Sequence, residues 1–283
     1  KLTAQDIRSM LQFAVLTAVI LPLLPNRSFG PYGVLNPFQA WLMVVLVSAV
    51  SLAGYVAWRL TLGRHGLVAT GVLGGLVSST ATTLVHARNV AAGTQAPSAA
   101  LVVILLANAT MLLRVLVMVG IVAPATLPRA AIVIVPAWLL ALAGVAWRWR
   151  HVDREPAREA AYVNPTQLRM ALGFGAIYTV LLLLVAWAND ALGARGVIAL
   201  AAVSGLTDVD AITLSSLRLL ESGAAAQETV LAAIAVAVGS NLVFKAAIAA
   251  GAGGRALLAP VARAFSAPLL GLAAGMAALR ALA

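Results

Sequence analysis

Of the nine acidic residues in the chain, only Asp208 and Asp210 fall within an apolar run, while Asp6, Asp153, Glu155, Glu159, Asp190, Glu221 and Glu228 lie in loops or at run edges. An ionised carboxylate in hydrocarbon costs at least about 2.5 kcal/mol, so such a residue faces a partner, a cavity or a pathway. Two residues apart on an ideal helix, the pair would diverge by roughly 200°. Both reach one site only if the helix unwinds, and Gly205 is placed to allow that. Unwinding at Gly205-Leu206-Thr207 frees carbonyl oxygens. With Asp208, Asp210, Thr207 and Thr213 they form an all-oxygen set suited to a hard divalent cation such as Mg²⁺, with the two aspartates as its charged metal ligands. Neutral oxygens come from Ser78, Ser79, Thr80 and Thr83 in the run at 75–84, which begins Gly75-Leu76-Val77-Ser78, and from Asn108 and Asn241 in later runs. Arg114 and Lys245 are the basic residues well inside runs, and as charge partners they would balance the two carboxylates. A structural reading stands beside this one. Ser and Thr beside Gly pack membrane helices, two acids with two bases make a neutral network, and long basic side chains at span ends snorkel to the interface. His65 and His86 read as loop histidines at span edges rather than as ligands.

The elements that must position these residues are membrane helices. Over 283 residues the chain is 62% hydrophobic and 10% charged, with a mean hydropathy of +1.00. Soluble domains carry roughly a quarter charged residues. Backbone groups in hydrocarbon must pair internally, and the runs lack the alternation of barrel strands. The reading is an all-α, polytopic transmembrane bundle of about nine spans. They lie near residues 9–25, 38–60, 66–86, 98–122, 129–148, 167–188, 196–217, 228–250 and 256–280. The net charge of +10 sits mostly in loops, where it marks topology and not a nucleic-acid surface. The densest basic stretch, with Arg148, Arg150, Arg154, Arg158 and Arg169, is expected in the cytoplasm, which with nine crossings puts the carboxyl terminus inside. There is no cysteine, so thiol chemistry is absent. The chain opens Lys1-Leu2-Thr3, consistent with a fragment or a lost upstream domain.

An offset of about 130 residues sets Gly66-Leu67-Val68-Ala69 against Gly196-Val197-Ile198-Ala199, the run from Gly75 to Leu84 against that from Gly205 to Leu214, and Arg88 against Arg218. The following runs each carry an Asn and a base. The chain therefore divides into a first half at 1–150, a basic loop at 151–165 and a second half at 166–283. Matching helices run parallel if every run crosses, and antiparallel if one run between them does not. Duplication around a midplane site built from broken helices is a plan of secondary transporters.

The strings Gly74-Gly75-Leu76-Val77-Ser78-Ser79-Thr80-Ala81-Thr82-Thr83 and Gly205-Leu206-Thr207-Asp208-Val209-Asp210-Ala211-Ile212-Thr213-Leu214-Ser215, with Pro31-Tyr32-Gly33 and Asn36-Pro37, resemble the membrane domain commonly attached to MgtC/SapB-type proteins. The resemblance implies a multi-pass protein of the bacterial inner membrane linked to magnesium. It transfers no site residue. The amino-terminal MgtC-like domain is missing from this chain.

The function expected is a cation transporter or channel, not an enzyme, with no cofactor beyond the bound or carried divalent ion. Its partners are the bilayer and an inorganic cation, with no nucleic acid. A second copy of the chain and an MgtC-like domain are further partners this reading allows. The alternatives are a magnesium-dependent enzyme acting on lipid phosphates, with Arg114 and Lys245 on phosphate oxygens, and a regulatory or scaffold subunit. An intramembrane aspartyl protease would place its two aspartates on facing helices, and here both share one run.

Overall fold

A computed structural model of the chain describes residues 10–46, 48–49, 66–150, 152 and 168–282. These residues are helical almost throughout, without a β-strand. The elements are α1 (Met10–Leu23), α2 (Pro37–Leu46), α3 (Gly66–Ala91), α4 (Pro97–Val122), α5 (Leu127–Trp149), α6 (Leu168–Thr207), α7 (Val209–Glu221), α8 (Gln227–Gly253) and α9 (Arg255–Ala281). Most of the loop at 151–165 and the end of the run at 38–60 lie outside the described residues.

Six helices among the described residues are long and apolar enough to cross a membrane, so this is a multi-pass membrane protein by length and composition. The expected nine runs are redistributed. The run at 9–25 forms the shorter α1, which includes a turn of π-helix at Val15–Ile20, and there the Leu16 carbonyl accepts both the Leu21 N–H and, at 2.9 Å, Trp41 Nε1. The expected span at 196–217 is split between the end of α6 and α7. Trp147, Trp149 and Trp187 are about half exposed near helix ends, as amphipathic rings at an interface would be.

Two helices are broken, and the breaks organise the bundle. Within α3, Ser78 is extended (φ −165°, ψ 103°) between arms at 66–77 and 79–91. Gly71 lies against Val103 and Leu106, and Gly75 against Ala107 and Thr110, so the first arm runs parallel to α4. Continued straight, it would carry Ala91 roughly 30 Å beyond Gly71, whereas Pro97 starts α4 roughly 10 Å behind it. The five-residue link at 92–96 reaches at most about 20 Å. The second arm therefore folds back, which also brings His86 Nδ1 to Gln95 Oε1 at 2.7 Å in the loop before α4.

The second break repeats the arrangement. Gly193 (φ 60°, ψ −151°) turns α6 so tightly that Gly196 meets the Ala188 carbonyl, a backbone geometry open to glycine. The arm at 194–207 then ends at Asp208 (φ −149°, ψ 123°), beyond which α7 begins. Asn189 Nδ2 donates to the Ala224 carbonyl at 2.7 Å, so the turn at Gly193 and the loop after α7 share one end of the bundle. Both hairpins close with the same helix stop: Gly93 (φ 67°) and Gly223 (φ 73°) follow α3 and α7. Thr94 and Ala224 donate back to the Asn89 and Leu219 carbonyls at 2.9 Å each.

The hairpins open at opposite ends. Gln227 at the start of α8 donates to Thr126 Oγ1 at 2.9 Å, just past the end of α4, and also receives Arg129. The start of α8 thus stands beside the end of α4. The α5–α9 pair runs antiparallel, with Gly271 against Ala137 and Gly275 against Val133, a small-residue seam of the kind that lets membrane helices approach closely. Residues 100–112 of α4 are buried without exception, which makes α4 the axis of the core. The offset of about 130 residues between the two broken helices leads one to expect them side by side. Instead α3 packs on α4 and α8, and α7 on α8 and α4, so each reaches the other through an unbroken helix.

Candidate functional site at two helix breaks

Breaking a helix orphans backbone groups on both sides, and the side chains around the two breaks answer that need. On the N–H side, Ser78 Oγ accepts from Ala81 N at 3.2 Å, and Asp208 Oδ1 accepts from Asp210 N at 2.7 Å. Each is an N-cap of the arm that follows. On the carbonyl side, Arg114 of α4 donates through one terminal nitrogen to the Leu76 carbonyl at 3.1 Å, and Asn241 of α8 donates to the Gly205 carbonyl at 2.7 Å.

Gly205 does not unwind the helix, as its flexibility suggested. It is helical, the arm continues through Thr207, and the break falls at Asp208. The missing side chain is needed for approach: a Cβ at Gly205 would collide with the Ala237 backbone, as one at Gly75 would with Ala107 Cα, 2.7 Å away. Both broken helices are thereby pressed onto the unbroken helix that follows them.

The breaks are then bridged across the molecule. Arg114, on α4, forms an ion pair with Asp210 of α7 at 2.7 Å. Lys245, on α8 and 1% exposed, donates to Ser79 Oγ of α3 at 2.6 Å. Neither base snorkels to an interface. Each leaves its own half of the chain to meet the first helical turn after the other half's break.

Of the expected ligands, Asp210, Asn108, Asn241 and Thr213 are buried, and each keeps a side-chain oxygen without a hydrogen-bond partner among the described residues: Asp210 Oδ1, Asn108 Oδ1, Asn241 Oδ1 and Thr213 Oγ1. The rest are engaged or turned away. Asp208 caps α7, Ser79 receives Lys245, Thr83 donates to the Ser79 carbonyl at 2.8 Å, and the exposed Thr207 donates to the Ser204 carbonyl at 3.0 Å. Thr80 is half-buried two residues past the break. Among the described residues no group of three or more His, Cys, Asp or Glu could hold a metal ion. A bound cation would therefore draw on one or two carboxylates and neutral oxygens, a hard-oxygen set. His86, expected in a loop, is instead buried on the back-folded arm.

Sequence reading missed the break at Ser78 and the two capped carbonyls. A backbone acceptor leaves no residue-type signal. The one trace of Ser78 was its alignment opposite Asp208 at the offset of about 130 residues.

Helices that enter a bundle, break and return, with charged side chains meeting at the breaks, define a class of multi-pass membrane protein built around an interior polar site. By sequence the chain belongs to the family of a domain of unknown function, DUF4010, whose model matches residues 45–253. An uncharacterised protein of Aquifex aeolicus (strain VF5) is 28% identical over 189 residues, covering 66% of this chain and 82% of the relative. No solved structure matches the chain.

Proposed function

We propose that this protein is a cation transporter or channel of a bacterial inner membrane, carrying a divalent metal ion such as magnesium past the tips of two re-entrant hairpins. The observation that carries the proposal is the pair of breaks at Ser78 and Asp208, bridged by Arg114 and Lys245, in a bundle whose helices α4, α7 and α8 hold four buried, unpartnered oxygens. A structure held together by polar contacts alone would be expected to satisfy those oxygens. Ion sites at broken helices use such a mixture of side-chain and main-chain acceptors. Asp210 supplies the charge, Asn108, Asn241 and Thr213 supply neutral oxygens, and Asp208 holds the break open. The lipid-phosphate alternative needs Arg114 and Lys245 free for phosphate, and both are committed to protein atoms.

In this reading residues 1–150 and 166–283 are two copies of one plan, inserted in opposite orientations. Of the nine segments expected to cross, those at 66–86 and 196–217 enter and return without crossing, as parts of the hairpins at 66–91 and 194–221. Three crossings, α4, α5 and the first arm of α6, then separate the two hairpins, and an odd number inverts the second. With the basic loop at 151–165 in the cytoplasm, α9 ends outside, which reverses the orientation expected for the carboxyl terminus. An association with MgtC/SapB-type partners and with magnesium belongs to the same proposal.

The test is flux through the purified protein in proteoliposomes, with Mg²⁺, Mn²⁺, Ca²⁺, Na⁺ and K⁺ supplied separately. A divalent flux that Asp210→Asn abolishes supports the proposal. No flux of any cation from folded protein rejects it.

A further inference from the structure

Arg114 occupies a singular position. One terminal nitrogen holds the Leu76 carbonyl at the end of the first hairpin's entering arm, and the other holds Asp210 Oδ2 at the start of the second hairpin's returning arm. Its Nε has no partner among the described residues, and the Asp210 side chain it pairs with is 6% exposed. One cation fixed to α4 thus bridges both tips and neutralises the carboxylate whose other oxygen, Oδ1, stands unpartnered.

We infer that Arg114 is a tethered counter-charge, a resident cation that stands in for the carried one when the site is empty and so allows the empty protein to change conformation. This rests on the transport reading given above. A carboxylate left alone in low dielectric resists any motion that drags it through the bundle, whereas a paired one moves as a neutral unit. With the ion bound, the ion neutralises Asp210 and the guanidinium stays on the Leu76 carbonyl. With the ion gone, the arginine closes onto Asp210. Lys245 does not take this part, because its ammonium group donates to Ser79 Oγ and not to a carboxylate.

The inference separates two modes of transport. Exchange of one bound ion for another never needs the empty site to move, whereas net uptake into ion-free vesicles does at every cycle. The experiment measures radiolabelled Mn²⁺, an octahedral oxygen-seeking stand-in for Mg²⁺, entering proteoliposomes that hold either unlabelled Mn²⁺ or no divalent ion. The protein with Arg114 should show both modes at comparable rates. Arg114→Gln should lower the ratio of net uptake to exchange at least tenfold, and Arg114→Lys, which keeps the charge but not the fork, should restore most of that ratio.

An unchanged ratio in Arg114→Gln overturns the inference and leaves the transport reading standing. So does a wild-type protein that exchanges without net uptake, a result independent of whether the glutamine variant folds. Loss of net uptake with exchange retained in Arg114→Lys also overturns it, since charge would then not be the property that matters. Absence of both modes in the wild-type protein rejects the divalent-transport reading itself.

Discussion

Ser78 and Asp208 stand about 130 residues apart, and each is a single extended residue between two helical arms, capping the arm that follows with its own side chain. One cap is neutral and the other charged. The difference matters because the caps do the same backbone work while only Asp208 adds a charge to the site.

The capping role gives a first prediction. Asp208→Ala should destabilise the protein by about 1–2 kcal/mol, and Asp208→Asn, an equally good cap, by only a few tenths. Thermal unfolding in detergent reads both. If asparagine were as damaging as alanine, the charge and not the cap would be what the fold requires.

A second prediction concerns the ion pair. Arg114→Met leaves Asp210 buried without its partner and should cost roughly 3–5 kcal/mol, most of which Arg114→Met with Asp210→Asn should recover. The double variant restores neutrality without restoring a ligand. Stability should therefore return while cation flux does not, and wild-type flux from the double variant would remove Asp210 from the ligand set.

The close approaches give a third. Gly75→Ala and Gly205→Ala place a methyl group against the Ala107 and Ala237 backbones and should each cost about 1–3 kcal/mol, since a rigid helix yields little. Gly173→Ala, which meets nothing within 4 Å, serves as the control and should be silent in the same melting assay.

A fourth prediction reads binding without flux. Mg²⁺ at a hundred times its dissociation constant should add about 2.7 kcal/mol to the stability of the wild-type protein. Asp210→Asn should lose that increment. Equal Mg²⁺ stabilisation of both proteins would place the ion elsewhere.

Much of this architecture was legible in the chain. Apolar runs located the long helices because hydrocarbon leaves the backbone no alternative, and Asp210, Arg114 and Lys245 stood out as charges where charge is costly. The back-folding was not legible. Residues 66–91 form an apolar stretch as long as a membrane crossing, and nothing in its composition separates one helix from two arms joined at Ser78. Gly205 misled for a related reason: a glycine that permits unwinding and one that permits contact are the same residue, and only the Ala237 backbone decides between them. His86 misled because its partner, the half-buried Gln95, lies across a turn that sequence spacing does not reveal.

In the proposed topology, hairpins that enter from opposite ends would make the protein electrically thinner than the membrane it occupies. Water following each pair of arms part of the way in would leave the stretch between Ser79 and Asp210 as the main insulating layer. The membrane voltage, worth about 2.3 kcal/mol per elementary charge per 100 mV, would then fall across that stretch and not the whole bilayer. An ion or guanidinium shifting by one side-chain length between the tips would sense most of that field, so the proposed transport should depend steeply on voltage although nothing in it travels far.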